Sequence, residues 1–237
     1  MMVKKWEKLP PELQTEAVRP YYTILRKKNL SLFFKRLFDI VVSFLMLVVL
    51  SPFFLILAIA IKIDTKGPVF YRQWRVTQYG KKFRIFKFRT MVQNADKIGT
   101  QVTVGNDVRI TRVGRVIRKL RLDEICQLID VLRGTMTFVG TRPEAVKYVE
   151  AYTDEMWATL LLPAGVTSET SIYYKDESAL LEKAEDADKC YVEEILSEKM
   201  KFNLASIKKF GFWRDIKVMF MTVFAVLGKE YKAKEDL

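Results

Sequence analysis

Residues 114–144 read GRVIRKLRLDEICQLIDVLRGTMTFVGTRPE, and an acidic pair, Asp123-Glu124, stands inside a strongly basic run. Val113, Val116, Ile117 and Leu120 keep helical spacing, while Leu122, Ile125, Ile129 and Leu132 form a second stripe out of phase with the first. The shift predicts a break near Arg121 and a new helix with Asp123 and Glu124 in its first turn, ending at Arg133 with Gly134 just beyond. A helix start favours negative charge and offers free N–H groups to anions, so this position would keep Asp123 ionised with a phosphate close beside it. The plainer reading is a solvated Asp-Glu pair that steadies a helix start, and these two residues alone favour it.

The surrounding text changes the balance. Leu120-Arg121-Leu122 precedes the pair, Gln127-Leu128 and Val131-Leu132-Arg133-Gly134 follow it, and the stretch closes with Phe138-Val139-Gly140-Thr141-Arg142-Pro143-Glu144. This pattern resembles the signature of the monotopic phosphoglycosyl transferases, bacterial enzymes that move a phosphosugar from a nucleotide-sugar to polyprenyl phosphate. Matching pieces lie upstream in order: Lys35-Arg36-Leu37-Phe38-Asp39, Ser51-Pro52, Gly67-Pro68-Val69-Phe70 and Lys87-Phe88-Arg89-Thr90-Met91. The resemblance covers residues 35–144 and runs more thinly beyond. It implies that Asp123 is the nucleophile, with Glu124 completing the catalytic dyad. The family usually has proline where this chain has Thr141.

Composition narrows the chemistry independently. Half of the 237 residues are hydrophobic, 29% are charged, and the net charge is +12, which calls for an anionic partner. There is no histidine, so His-based general-base catalysis, Ser-His and Cys-His nucleophiles and His-ligated zinc are excluded. Cys126 and Cys190 are too few for a disulfide framework, and a reducing cytoplasmic setting suits them.

Residues 1–33 read as a peripheral N-terminal extension, helical after Pro11, without a signal-peptide core. Residues 40–61 then run 22 positions without a charge, long enough to cross a bilayer. Pro52 removes the N–H that would bond Val48, and the Ser51 hydroxyl can bond a carbonyl one turn back. From the residues alone a kinked spanning helix is the default. Basic flanks at both ends (Lys35, Arg36; Lys62, Lys66) are better satisfied if both remain cytoplasmic. The resemblance implies that alternative: a re-entrant helix-break-helix at Ser51-Pro52.

Residues 69–91 predict a β-hairpin turning at Gln78-Tyr79-Gly80-Lys81. Residues 92–106 predict a polar connection, and a helix is expected from Asp107 onward. Arg109, Arg112, Arg115 and Arg118 recur every third residue, a stripe of solvated or lipid-facing type. Arg112, which leads towards the dyad, is a candidate phosphate contact. Arg89 is a candidate substrate contact against the plainer reading of a solvated arginine at a strand end. Arg142 carries a planar fork suited to a diphosphate, and it is assigned to substrate binding with Pro143 and Glu144. The alternative is that Arg142 and Glu144 pair with each other. Helix is expected from there to Leu162, residues 177–200 predict a charged amphipathic helix, and residues 210–227 suit an interfacial helix or a core helix equally.

The expectation is therefore a helix-dominated α+β chain. Residues 34–63 form a re-entrant membrane helix, and residues 64–237 form a small cytoplasmic catalytic domain with a short β-hairpin and interfacial amphipathic helices. By resemblance it takes a UDP-sugar and polyprenyl phosphate at the cytoplasmic face of the bacterial inner membrane, with Mg²⁺, or Mn²⁺ in its place, held by Asp123 or Glu124 and the diphosphate. Membrane lipid is an expected partner and nucleic acid is not; a homo-oligomer is left open. A basic membrane-tethered RNA- or lipid-binding module and a scaffold with a spanning helix are the competing readings, and neither accounts for the ordered motifs from Ser51 to Glu144.

Overall fold

The computed structural model describes residues 2–95, 107–173, 187–229 and 231, and its regular structure is mostly helical with two small sheets. Its longest element is α2 (Asn29–Asp64), preceded by α1 (Arg19–Lys27). α2 is long and apolar enough to cross a membrane by length and composition, and at 36 residues it extends roughly 54 Å. The Ser51-Pro52 step does not interrupt it. Pro52 lies inside the helix, and the Ser51 hydroxyl donates to the Val48 carbonyl at 2.8 Å, replacing the bond that the proline nitrogen cannot make.

Both ends of α2 are fastened to the same body. Near its start, Arg36 donates to the carbonyls of Val131 (2.6 Å) and Leu132 (2.9 Å), and the Lys35 ammonium donates to the Val139 carbonyl. Asp39 accepts from the Thr137 hydroxyl at 2.7 Å. At the far end the Asp64 carboxylate accepts from the Val113 amide. Between these ties, Phe38, Val42, Leu47, Leu50 and Phe54 lie against a core of Phe83, Ile85, Leu128, Val131, Met136 and Phe138. The opposite face leaves Phe44, Leu45, Val49, Ile56 and Ile63 exposed.

β1 (Phe70–Val76) and β2 (Lys82–Phe88) form the expected antiparallel hairpin, with Phe70 opposite Phe88 and Val76 opposite Lys82. Its turn places Tyr79 and Gly80 at positive φ. α3 (Arg112–Lys119) starts later than Asp107, because the Thr111 side chain caps it by accepting from the Gly114 amide. The break at Arg121 is present, with φ of +53°. A 3₁₀ turn, Leu122–Gln127, leads into α4 (Leu128–Arg133), which ends on Gly134 at φ +85° as the pattern predicts.

β3 (Met136–Val139) follows, then α5 (Val146–Val149), a 3₁₀ turn at Met156–Leu161 and β4 (Ala164–Thr167). The expected helix to Leu162 is thus broken into short pieces. β3 and β4 pair in parallel, Met136 beside Ala164 and Val139 beside Thr167. Gly165 packs directly on the Gly140 backbone, where a Cβ would lie 2.2 Å from backbone atoms. α6 (Glu169–Tyr173), α7 (Ala187–Cys190), a π-turn at Tyr191–Leu196, α8 (Ser197–Lys208) and α9 (Phe212–Val226) complete the described chain. Residues 96–106 of the expected polar connection and 177–186 of the expected amphipathic helix lie outside the described residues.

The N-terminal segment is not peripheral. Val3, Leu9, Leu13, Val18, Tyr21 and Leu25 are buried in one cluster with Leu161, Leu204 and Phe210. Prolines at positions 10, 11 and 20 interrupt the segment and hide the periodicity of these apolar positions in the sequence. α9 buries only Val218 while Trp213, Phe220, Val223 and Phe224 remain exposed, so a core helix is excluded.

Candidate active site

The 3₁₀ turn after Arg121 sets Asp123 and Glu124 side by side at the edge of the hairpin. α4 is held against that hairpin by Asp130, whose buried carboxylate accepts from the Phe86 amide at 2.8 Å. Lys87, one residue along β2, is thereby brought to Glu124, with 2.8 Å between its Nζ and Oε1. From the other side comes Arg142, whose Nη1 donates to Glu124 Oε2 at 3.2 Å and whose Nη2 donates to Oε1. Gly140 fixes the approach of that arginine: its amide donates to the Thr167 carbonyl and the next carbonyl, of Thr141, accepts from Gly165. The β3–β4 pair therefore supplies the local support that proline at position 141 would otherwise provide.

The two carboxylates have opposite electrostatic surroundings. The Arg142 and Lys87 cations overcome burial at Glu124 and hold its carboxyl far below the usual carboxylate range. Asp123 is pushed up, first by burial and then by the neighbouring Glu124 charge, while Lys87 and Arg118 oppose the rise. The expected helix start is a short 3₁₀ piece here, and burial next to a second carboxylate moves the Asp123 carboxyl up rather than down. Among the described residues no side chain hydrogen-bonds the Asp123 carboxylate. It is half-buried and open to an incoming electrophile or cation.

Among the described residues no three Asp, Glu, His or Cys side chains converge on a point that could hold a metal ion. Both Glu124 oxygens are engaged by Lys87 and Arg142, which leaves Asp123 as the accessible carboxylate. This fits a Mg²⁺ ion held through one or two carboxylates together with substrate phosphates, the usual mode for that hard cation.

Arg142 is where the sequence places it, beside the dyad. It pairs with Glu124, whereas Glu144 pairs with Lys199 at 3.5 Å, so the two do not form the mutual pair considered as an alternative. Pro143 and Glu144 are buried behind Arg142. Arg112 is exposed at the first turn of α3, and Arg118 is the member of the basic stripe within electrostatic reach of Asp123. Arg89 is not a solvated arginine, and its guanidinium is engaged by the chain itself. It is 6% exposed, and its guanidinium donates to the carbonyls of Lys66 (2.7 Å) and Thr65 (2.8 Å) and to the Thr65 hydroxyl (2.8 Å), closing the C-terminal end of α2. Lys87 and Arg118 are the residues that pattern reading passed over. Lys87 was detectable as a cation at the position where the alternation of buried Phe83 and Ile85 calls for another core residue.

Comparison with known proteins meets this geometry from outside. The family described as "Bacterial sugar transferase" matches residues 30–229. The UDP-glucose:undecaprenyl-phosphate glucose-1-phosphate transferase of Klebsiella pneumoniae is 37% identical over 202 residues, covering 83% of this chain and 40% of that protein. The UDP-N-acetylgalactosamine-undecaprenyl-phosphate N-acetylgalactosaminephosphotransferase of Aeromonas hydrophila is 35% identical, covering 82% of this chain and 44% of that protein. The chain thus spans about two fifths of the length of these two curated relatives. The uncharacterized sugar transferase EpsL of Bacillus subtilis is 32% identical and matched over 88% of its length. With the match running through the long apolar helix α2, the hairpin, the dyad and the Arg142 turn, this chain belongs to the bacterial sugar transferase family.

Proposed function

We propose that this chain transfers a phosphosugar from a UDP-sugar to polyprenyl (undecaprenyl) phosphate, releasing UMP, by way of a covalent phosphosugar-Asp123 intermediate. The observation that carries the reading is the division of labour in the dyad: Glu124 is locked between Lys87 and Arg142, and Asp123 is left open beside them. An Asp123 oxygen attacks the phosphorus that bears the sugar, the bridging P–O bond breaks, and UMP departs with the bridging oxygen. A phosphate oxygen of the lipid then attacks the same phosphorus, displacing Asp123 and giving the lipid-diphosphosugar. A carboxylate nucleophile requires no separate base for the first step, which suits a chain without histidine. Lys87, Arg142 and Arg118 supply fixed positive charge where negative charge accumulates. A Mg²⁺ ion, or Mn²⁺, bound by Asp123 with Glu124 behind it and by the diphosphate, would offset the repulsion between carboxylate and substrate. Purified protein given a panel of UDP-sugars with undecaprenyl phosphate should release UMP with at least one; release with none would refute the activity.

We also propose that α2 bends at Pro52, where one backbone hydrogen bond is missing, and so enters the cytoplasmic leaflet of the bacterial inner membrane and returns, with both ends on the cytoplasmic face. Its two ends are fastened to one body by Arg36 and Asp39 on one side and by Asp64 and Arg89 on the other. A helix that crossed the bilayer would have to draw that body through the lipid with it. Single cysteines beside Lys28 and Lys66, in a background without Cys126 and Cys190, should label from the same side with an impermeant thiol reagent. Labelling from opposite sides would mean that α2 spans.

A further inference from the structure

The hairpin is stitched to the Arg142 turn by one backbone bond, from the Val76 amide to the Glu144 carbonyl at 3.0 Å. Arg75, the preceding residue, therefore stands against that turn. Its guanidinium is partly buried, and among the described residues its side-chain hydrogen bond goes to a neutral acceptor, Gln73 Oε1, at 2.9 Å. The Glu144 carboxylate and the Arg142 guanidinium are both within its electrostatic reach, the first attracting and the second repelling. Glu144 in turn faces the buried Lys199 ammonium, which donates to the Tyr191 hydroxyl at 2.9 Å. Two guanidinium groups thus stand on adjoining segments at the edge of the dyad, Arg142 bound to the Glu124 carboxylate and Arg75 bound, among the described residues, to the neutral Gln73 amide. A guanidinium drawn from water beside a like charge is unfavourable unless an anion joins it. A phosphoryl group offers oxygens to both forks at once and turns the repulsion into paired charge-assisted bonds.

We infer that Arg75 is a substrate-contacting residue that works with Arg142 as a two-guanidinium clamp on a phosphoryl group of the reacting substrate. The inference rests on the phosphosugar-transfer reading above and adds to it a residue on the hairpin, outside the dyad and the Arg142-Pro143-Glu144 turn. Glu144 keeps the two forks from separating, and Lys199 orients Glu144. The phosphoryl group belongs either to the donor diphosphate or to the lipid phosphate, and the two half-reactions tell these apart.

The test uses the full chain, Arg75→Gln and Arg75→Lys, with three readouts: exchange of labelled UMP into the UDP-sugar without lipid, transfer to undecaprenyl phosphate, and thermal protection by inorganic pyrophosphate. Arg75→Gln should unfold near the parent temperature, lose the pyrophosphate protection, and raise the KM of one half-reaction or lower its rate by about 100-fold. Arg75→Lys, which keeps the charge and loses the fork, should fall between, and it carries the test if the glutamine variant does not fold. A defect in exchange assigns the clamp to the donor diphosphate, and a defect confined to lipid transfer assigns it to the acceptor phosphate. If both variants match the parent within twofold in both half-reactions and keep its pyrophosphate protection, the clamp is refuted. A parent enzyme that exchanges no UMP with any UDP-sugar refutes the transferase reading instead, and pyrophosphate protection still decides whether Arg75 holds phosphate.

Discussion

Asp123→Asn should abolish UMP exchange and the covalent adduct together, lowering turnover on the order of 10⁴-fold or more, as removal of a nucleophile does. The parent enzyme given the right UDP-sugar alone should exchange labelled UMP, because a covalent route divides transfer into two half-reactions and the first needs no lipid. Intact-mass analysis should show a phosphosugar on Asp123 and none on Glu124, whose oxygens are held by Lys87 and Arg142. The nearly isosteric asparagine should leave the fold intact. The pH profile supplies a second reading of the same residue. Burial raises the Asp123 carboxyl above its ordinary range, and only the anion attacks, so exchange should climb with pH through a limb above the usual carboxylate value and fall as acid protonates Asp123. Exchange that persists in the asparagine variant, or that requires polyprenyl phosphate in the parent, would replace the covalent route with direct displacement.

The second large effect is expected at Arg142. Its fork is bound to Glu124 across both oxygens, so Arg142→Ala removes the charge facing the phosphate and also leaves Glu124 with Lys87 as its one cationic partner among those described. Loss of one preorganised charge-stabilising donor costs about 100-fold or more in rate. Arg142→Lys should recover part of the charge and little of the two-point geometry. Chelation of Mg²⁺ or Mn²⁺ should act on the same developing charge, and activity undiminished by EDTA would remove the metal from the proposal. Steady-state UMP release at saturating donor separates these outcomes: a variant within threefold of the parent would reduce Arg142 to a structural role.

What the sequence made legible follows the range of the interactions concerned. The hairpin, the break at Arg121 and the stop at Gly134 depend on neighbours within a turn or two, where alternation, phase shift and glycine speak directly. The Ser51-Val48 bond across Pro52 was readable for the same reason. The parallel β3–β4 pair was not, since each strand is four residues long and its partner lies across α5 and a 3₁₀ turn. Dyad and Arg142 stood out by motif, but motif could not say that Arg142 faces Glu124 rather than Glu144, because that choice is made by the Gly140–Gly165 contact. Arg89 misled most. A strand-end arginine in a motif points to substrate, and only the end of α2, more than twenty residues earlier, reveals what its guanidinium binds.

Lys87 reaches Glu124, and Arg89 closes the end of α2 on the carbonyls of Thr65 and Lys66. Two residues of extended chain separate them, roughly 7 Å along a strand. The dyad and the C-terminal end of α2 are therefore set on a common ruler, and in the proposed membrane setting the height of the chemistry above the lipid is a matter of strand length. In the proposed reaction a lipid phosphate resting in the headgroup layer would meet Asp123 without its carrier being lifted from the bilayer. Two residues inserted between Lys87 and Arg89 would carry the carboxylate out of its reach while leaving every side chain of the dyad in place.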